Sequence, residues 1–227
     1  MIQSLTGINI KIELNLAQTT GVVLKRKRMY LAMNSFYSKK ELVEIGFRSI
    51  GENVLISKKV SIYGASKITI KNNVRIDDFV ILSGKIEIGN FIHVAAYSAL
   101  FAGDEGIFLK DFSNISSRVS IYAISDDFSG LSLTNPMVSD DYKQLEKGRV
   151  MIDRHVVIGA SSIVLPNVVI GEGVAIGSMS LINEPLDSWG VYIGVPARRI
   201  KERSKRLLQL EKEFLIRKDV SNLIDSY

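Results

Sequence analysis

Residues 152–182 read IDRHVVIGASSIVLPNVVIGEGVAIGSMSLI, and an aliphatic side chain falls at every sixth position: Ile152, Ile158, Val164, Ile170, Ile176 and Ile182. Carried back along the chain, the same phase gives Ile50, Ile56 and Ile62. After an eight-residue step it gives Ile70, Ile76, Leu82, Ile88, Val94 and Leu100, and after a nine-residue step Leu109, Ile115 and Ile121. A helix repeats near 3.6 residues and a half-buried strand near 2, so neither produces this pattern. Short strands joined by corners do. A second set of small or β-branched residues lies four positions after most anchors, among them Val54, Val60, Ser66, Val74, Val80, Ile92, Val156, Val168 and Val174. The remaining positions hold Gly51, Gly89, Gly159, Gly171, Gly177, Asn53, Asn73 and Asn90, the residue types that suit corners.

Three six-residue faces make a coil of 18, as from Ile70 to Ile88, and each coil covers the apolar edge of the next. The expected fold is therefore an all-β solenoid, a left-handed parallel β-helix with a protruding loop and a C-terminal helix. Residues 1–49 form an N-terminal segment with a short helix over Lys39–Ile45. Ser38 stands at its N-cap, Glu41 completes a capping box, and Gly46 follows as the stop signal. Residues 50–197 form the β-helix, residues 122–151 its polar loop, and residues 198–227 a helical tail. A regular solenoid has no cavity of its own, so the loop is the natural wall of a pocket.

The chain has 227 residues and no cysteine, which excludes disulfides and thiolate metal sites. With two histidines a polyhistidine site is not expected either, and no metal is assigned. No apolar run is long enough to span a bilayer, and the N-terminus lacks the pattern of a signal peptide. The expectation is a soluble, cytoplasmic protein. The net charge of +5 is concentrated in Lys25–Arg28 and in Arg198, Arg199, Lys201 and Arg203. Basic and aromatic residues do not interleave as on a nucleic-acid surface, so a small polyanion such as a cofactor phosphate is the better partner.

The run from Ile158 to Ser178, followed by Gly194-Val195-Pro196-Ala197, resembles the hexapeptide-repeat acyltransferases, and most closely their sugar O- and N-acetyltransferase branch. The resemblance implies a homotrimer that uses acetyl-CoA, with active sites between subunits where the loop of one chain meets a face of another. It implies a sugar hydroxyl or amine as acceptor, nucleotide-linked or a polysaccharide precursor. Mapped onto this chain, the cofactor wall is Ala160, Ser161, Ala175, Gly177, Ser178, Pro196 and Ala197, with Arg198, Arg199 or Lys201 offsetting the phosphates. Small side chains would leave room for a slender arm against the backbone. The same residues also suit a crowded corner and a solvated tail. A non-catalytic trimeric scaffold and a non-sugar acceptor are the alternatives.

Acyl transfer to a hydroxyl needs a base, for which an imidazole is suited. In related acetyltransferases a histidine follows a Tyr-Thr-Ala-Thr stretch, but the matching residues here are Tyr122-Ala123-Ile124-Ser125-Asp126, so Asp126 stands at the histidine position. His93 is then the first candidate base, with Asp126 or Asp127, from the same or a neighbouring subunit, orienting its ring. His155 is the second. A third route needs no imidazole: a sugar amine attacks the thioester while Asp126 or Asp127 holds it. A backbone amide at Ala160 or Ser161 is the expected oxyanion donor.

Overall fold

The computed structural model describes residues 35–224, with side chains through Lys218. The basic run Lys25–Arg28 lies outside the described residues. Seven left-handed turns of parallel strand stack into a prism. Face one carries residues 49–50, 68–70, 86–88, 107–109, 150–152 and 169–170. Face two carries 54–56, 74–76, 92–94, 114–115, 157–158, 175–176 and 190–193. Face three carries 61–63, 81–83, 99–101, 120–122, 163–164 and 181–182.

The six-residue column is the core. Every anchor from Ile70 to Ile182 is at most 4% exposed. Burying each such side chain contributes about 1.5–3 kcal/mol, which is why the spacing holds so strictly. The second inward position departs from expectation once. Ser66 is exposed, and Ile68 fills its place. The two extra residues of that coil are taken up in a three-residue 3-10 turn, Ala65–Lys67, after Gly64 in left-handed backbone. The inward register therefore slides by the length of the insertion.

Each edge of the prism has its own chemistry. Between faces one and two, Asn53, Asn73, Phe91, Phe112, His155 and Trp189 adopt positive φ. Between faces two and three the same conformation falls on Phe79, Tyr97, Arg118, Ser161 and Met179. Asparagine is at ease there, and bulky residues are not. The third edge, between faces three and one, receives all three interruptions of the repeat: the turn at 64–67, the insertion at 102–106 and the long loop. Coils pack closely there. A Cβ on Gly84, whose φ is +91°, would lie 2.4 Å from the Gly103 carbonyl oxygen.

The N-terminal helix α1 spans Lys39–Glu44. Glu41 N donates to Ser38 Oγ at 3.3 Å and Ser38 N to Glu41 Oε2 at 2.7 Å, the expected capping box. Ile45 is the C-cap, and Gly46 follows it with φ +80°. The tail corrects the reading of a helix from Arg198. Arg198–Glu202 form a strand antiparallel to Gly190–Ile193, and helix α2 begins only at Arg206, running to Ile224. The last strand of face two would otherwise expose a row of unpaired backbone groups, and the returning strand satisfies them.

Candidate active site

The loop is pinned at its base by an antiparallel pair, Ile124–Ser125 with Glu146–Lys147. Above that pair it stands over face three and borders an open cavity of about 820 Å³. Phe101 and Tyr122, neighbours in register, stack at 5.2 Å on the floor, and Leu165 lies beside them. Ile124 and Phe128 add apolar wall, while Asp126 and Lys143 supply charge. Lys143 pairs with Asp140 at 2.8 Å.

The two neighbouring aspartates do different work. Asp126 lines the cavity. The Asp127 carboxylate instead accepts from Ser129 N at 2.7 Å, from Ser132 N at 3.1 Å and from Ser132 Oγ at 3.0 Å. These bonds, those from Ser129 foremost, hold its pKa down at about 2. Asp127 thereby fixes the path of the loop through Ser129 and Ser132.

His93 lies on face two, whereas Asp126 leaves from the third edge, and within one chain neither Asp126 nor Asp127 is the partner of this imidazole. Its Nε2 is 2.7 Å from Asp77 Oδ2, while Arg75 Nε donates to Asp77 Oδ1 at 2.7 Å. Burial works to raise the Asp77 pKa, but the bonds from Arg75 and His93 outweigh it and hold the carboxyl below its usual range. Asp77 is thus the ionised group that orients His93, and sequence reasoning missed it. The signal was available: Arg75 and His93 are in register on adjacent coils, next to the edge that carries Asp77.

His155 is held elsewhere. It is 8% exposed, stacks on Phe112 at 5.2 Å and places Nε2 2.7 Å from Glu211 Oε2 of α2. That geometry anchors the tail helix to the first edge. Arg203 completes the anchor by donating to the carbonyls of His155, Gly173 and Val174. Burial of its guanidinium lowers its pKa.

The residues expected at the cofactor converge on the second edge and its C-terminal end. Met179 N donates to Ala160 O at 2.9 Å, Gly177 N to Tyr192 O at 2.9 Å, Leu181 N to Gly194 O at 3.0 Å and Ala197 N to Leu181 O at 2.8 Å. Ala160, Ser161, Gly177, Ser178 and Pro196 therefore lie on successive layers, with Ala175 on the adjoining face two. Ser161 and Ser178 are exposed, while Ala197 is buried at 5%. The edge has no room to spare: a Cβ on Gly159 would lie 2.5 Å from Ser178 N, and one on Gly177 2.6 Å from an Ile193 methyl carbon. Arg198, Arg199 and Lys201 are exposed just beyond it, with Arg199 paired to Glu202 at 2.6 Å and Arg198 3.8 Å from Glu184. The Ser161 amide is committed to Ser117 O at 3.0 Å, which removes it as an oxyanion donor and leaves Ala160.

Among the described residues no group of three His, Cys, Asp or Glu could hold a metal ion, and no helix is long and apolar enough to cross a membrane. The bacterial transferase hexapeptide family (six repeats) matches residues 149–184. The chain is 48% identical over 177 residues to the dTDP-4-amino-4,6-dideoxy-D-glucose acyltransferase of Escherichia coli, covering 77% of this chain and 92% of that one. It is 56% identical, with a TM-score of 0.81, to AntD, an N-acyltransferase from Bacillus cereus solved with dTDP and 3-hydroxybutyryl-CoA; the match covers 82% of this chain and 99% of AntD. A serine variant of AntD in complex with dTDP-4-amino-4,6-dideoxyglucose and coenzyme A is 57% identical, with a TM-score of 0.79 over 81% and 98% of the two chains.

Proposed function

Because the chain belongs to the hexapeptide-repeat acyltransferases, in their nucleotide-sugar branch, we propose that it transfers an acyl group from an acyl-CoA to the amine of a dTDP-linked amino-deoxy sugar. The observation that carries this reading is the near end-to-end match to an N-acyltransferase bound to dTDP and an acyl-CoA. The geometry is compatible with it. One edge is lined by small side chains and ends in exposed cations, and a separate aromatic cavity presents one carboxylate from the loop.

Acyl-CoA supplies the thioester carbonyl. Ala160, Ser161, Ala175, Gly177, Ser178, Pro196 and Ala197 form the wall along which its arm lies, and Arg198, Arg199 and Lys201 offset its phosphates. The Ala160 amide is the candidate donor to the oxyanion. Asp126 holds the sugar amine. His93, oriented by Asp77, takes the proton released as the C–N bond forms and the C–S bond breaks, and the departing thiolate is the final acceptor. An amine is a stronger nucleophile than an alcohol, so a site with two histidines in the whole chain suits N-transfer. Asp127 acts through the loop.

His93 and Asp126 meet only if different subunits supply them, which is the arrangement of a homotrimer with shared sites. Phe128 and Met137, 91% and 92% exposed on the loop, are apolar side chains that a neighbouring subunit would cover. Within the acyl-CoA class acetyl-CoA is the proposed donor, and the cytoplasm the proposed compartment. The test is thiol release with acetyl-CoA and 3-hydroxybutyryl-CoA, each offered dTDP-4-amino-4,6-dideoxyglucose, together with light scattering for subunit number. Release at background with both donors would sink the reading in favour of a non-catalytic scaffold.

A further inference from the structure

Two edges of the prism carry stacked aromatic rings on left-handed backbone, and the chain covers one of them. On the first edge Phe91 and Phe112 stack at 4.7 Å, and Phe214 of α2 closes edge-on over both. On the second edge Phe79 and Tyr97 stack at 4.9 Å, yet they are 46% and 57% exposed, and no ring of the described residues closes over them. Their φ values are +61° and +64°, a conformation that Asn53, Asn73 and Asn167 take at other corners. Bulky side chains in that region are unfavourable, and burial within the chain does not compensate rings so exposed.

Cations flank the pair. Lys59 Nζ lies 5.2 Å from the Phe79 centroid and the Arg118 guanidinium 6.0 Å from that of Tyr97. Lys59 is tied to Asp78 at 2.8 Å, whereas Arg118 makes no ion pair among the described residues. The same edge continues through Ser161 and Met179, past the residues assigned to the acyl-CoA arm. Coils lie about 4.8 Å apart, so Arg118 to Phe79 spans roughly 10 Å, comparable to a nucleoside diphosphate.

We propose that Phe79, Tyr97 and Arg118 are the platform for the base and pyrophosphate of the nucleotide that carries the acceptor sugar. The inference rests on the reading given under Proposed function. Aromatic faces take a planar base by stacking, and a guanidinium pairs with phosphate oxygens. The two substrates then share one edge, the acyl donor on its C-terminal coils and the nucleotide on its N-terminal coils, with the sugar between them.

The experiment is calorimetric titration of the full chain with dTDP, thymidine and coenzyme A. Asparagine is the substitution the left-handed backbone tolerates. Tyr97→Asn and Phe79→Asn should each weaken dTDP binding roughly tenfold, and Tyr97→Phe should leave it within about twofold. Arg118→Gln should weaken dTDP but not thymidine, and no variant should change coenzyme A affinity. Arg118→Gln decides the case if an asparagine variant fails to fold by circular dichroism. A folded Tyr97→Asn that binds dTDP like the wild type overturns the proposal, as does loss of coenzyme A affinity. A change in subunit number with dTDP affinity intact overturns it too, and makes the ladder a subunit contact. In each of these cases wild-type turnover of the dTDP-sugar keeps the functional reading standing. A wild type that turns over another acceptor and does not bind dTDP removes both.

Discussion

His155 Nε2 and Glu211 Oε2 lie 2.7 Å apart although 56 residues separate them, and their side chains are 8% and 11% exposed. This contact, with Phe214 over Phe91 and Phe112, is what docks the tail helix on the prism. Glu211 also accepts from Arg154 at 2.5 Å. Glu211→Ala leaves two cationic or polar partners without their acceptor, and is expected to cost about 2–3 kcal/mol. Urea unfolding, with protease cutting after α2 loosens, measures it; an unchanged midpoint would mean the helix is held by its apolar contacts alone.

Replacing the two aspartates of the loop separates chemistry from support. Asp126→Asn should lower kcat on the order of 100-fold with little change in stability, since the residue lines the cavity and is the one proposed to hold the reacting amine. Asp127→Asn should act through loop order, raising KM as well. Steady-state kinetics beside thermal melts distinguish the two. Equal kinetic effects from both would place Asp127 in the site.

His93→Ala should also lower kcat about 100-fold. Asp77→Asn removes the group that orients the ring and should reproduce part of that loss. A rate on the amino sugar that survives His93→Ala assigns the proton to water near Asp126 and removes His93 from the reaction.

The Asp127 pKa of about 2 predicts a pH window for the loop. A carboxylate whose folded pKa lies below its unfolded value of about 3.9 adds stability above that value. The contribution disappears as pH falls from about 4 through 2. Carboxyl carbon shifts followed by NMR should show Asp127 titrating near 2; a midpoint close to 4 would show that the bonds from Ser129 and Ser132 are not kept in solution.

Ser113 interrupts an otherwise apolar inward column. It is 1% exposed, its hydroxyl has no partner among the described residues, and it stands one residue before Asn114, which is in register with His93 and Val157. Ile92 and Val156 therefore flank it on the adjoining coils. Ser113→Val removes an unpaired buried hydroxyl and fills the same position as Val74 and Val174, so stability should rise by about 1–2 kcal/mol. Chemical denaturation reads it, and a lower midpoint would reveal a partner for the hydroxyl such as a buried water.

The fold was legible because it is periodic. A column that repeats every six residues, from Ile70 to Ile182, can be read without any knowledge of long-range contacts, and so can the interruptions that leave it. The slide from Ser66 to Ile68 was not legible, because the eight-residue step shows that two residues are added but not whether the turn takes them up before or after the inward position. The small residues of the cofactor edge were readable as a group for the same reason: a repeat places Ala160 and Ser178 on adjoining layers.

Most long-range partners of the candidate site's polar side chains were decided by the tertiary structure. By itself the sequence determined the solenoid, its loop and the absence of thiolate chemistry. It offered His93 as the first candidate base and His155 as the second, with Asp126 or Asp127 to orient the ring or hold the amine. Packing divided them: His155 went to Glu211 under the tail helix, His93 to Asp77 on face two, Asp127 to the loop serines, and Asp126 to the cavity. Hydrophobic burial is non-directional and follows the local pattern of the chain, whereas a hydrogen bond or ion pair acts only over a few ångströms and depends on which distant segments folding brings together.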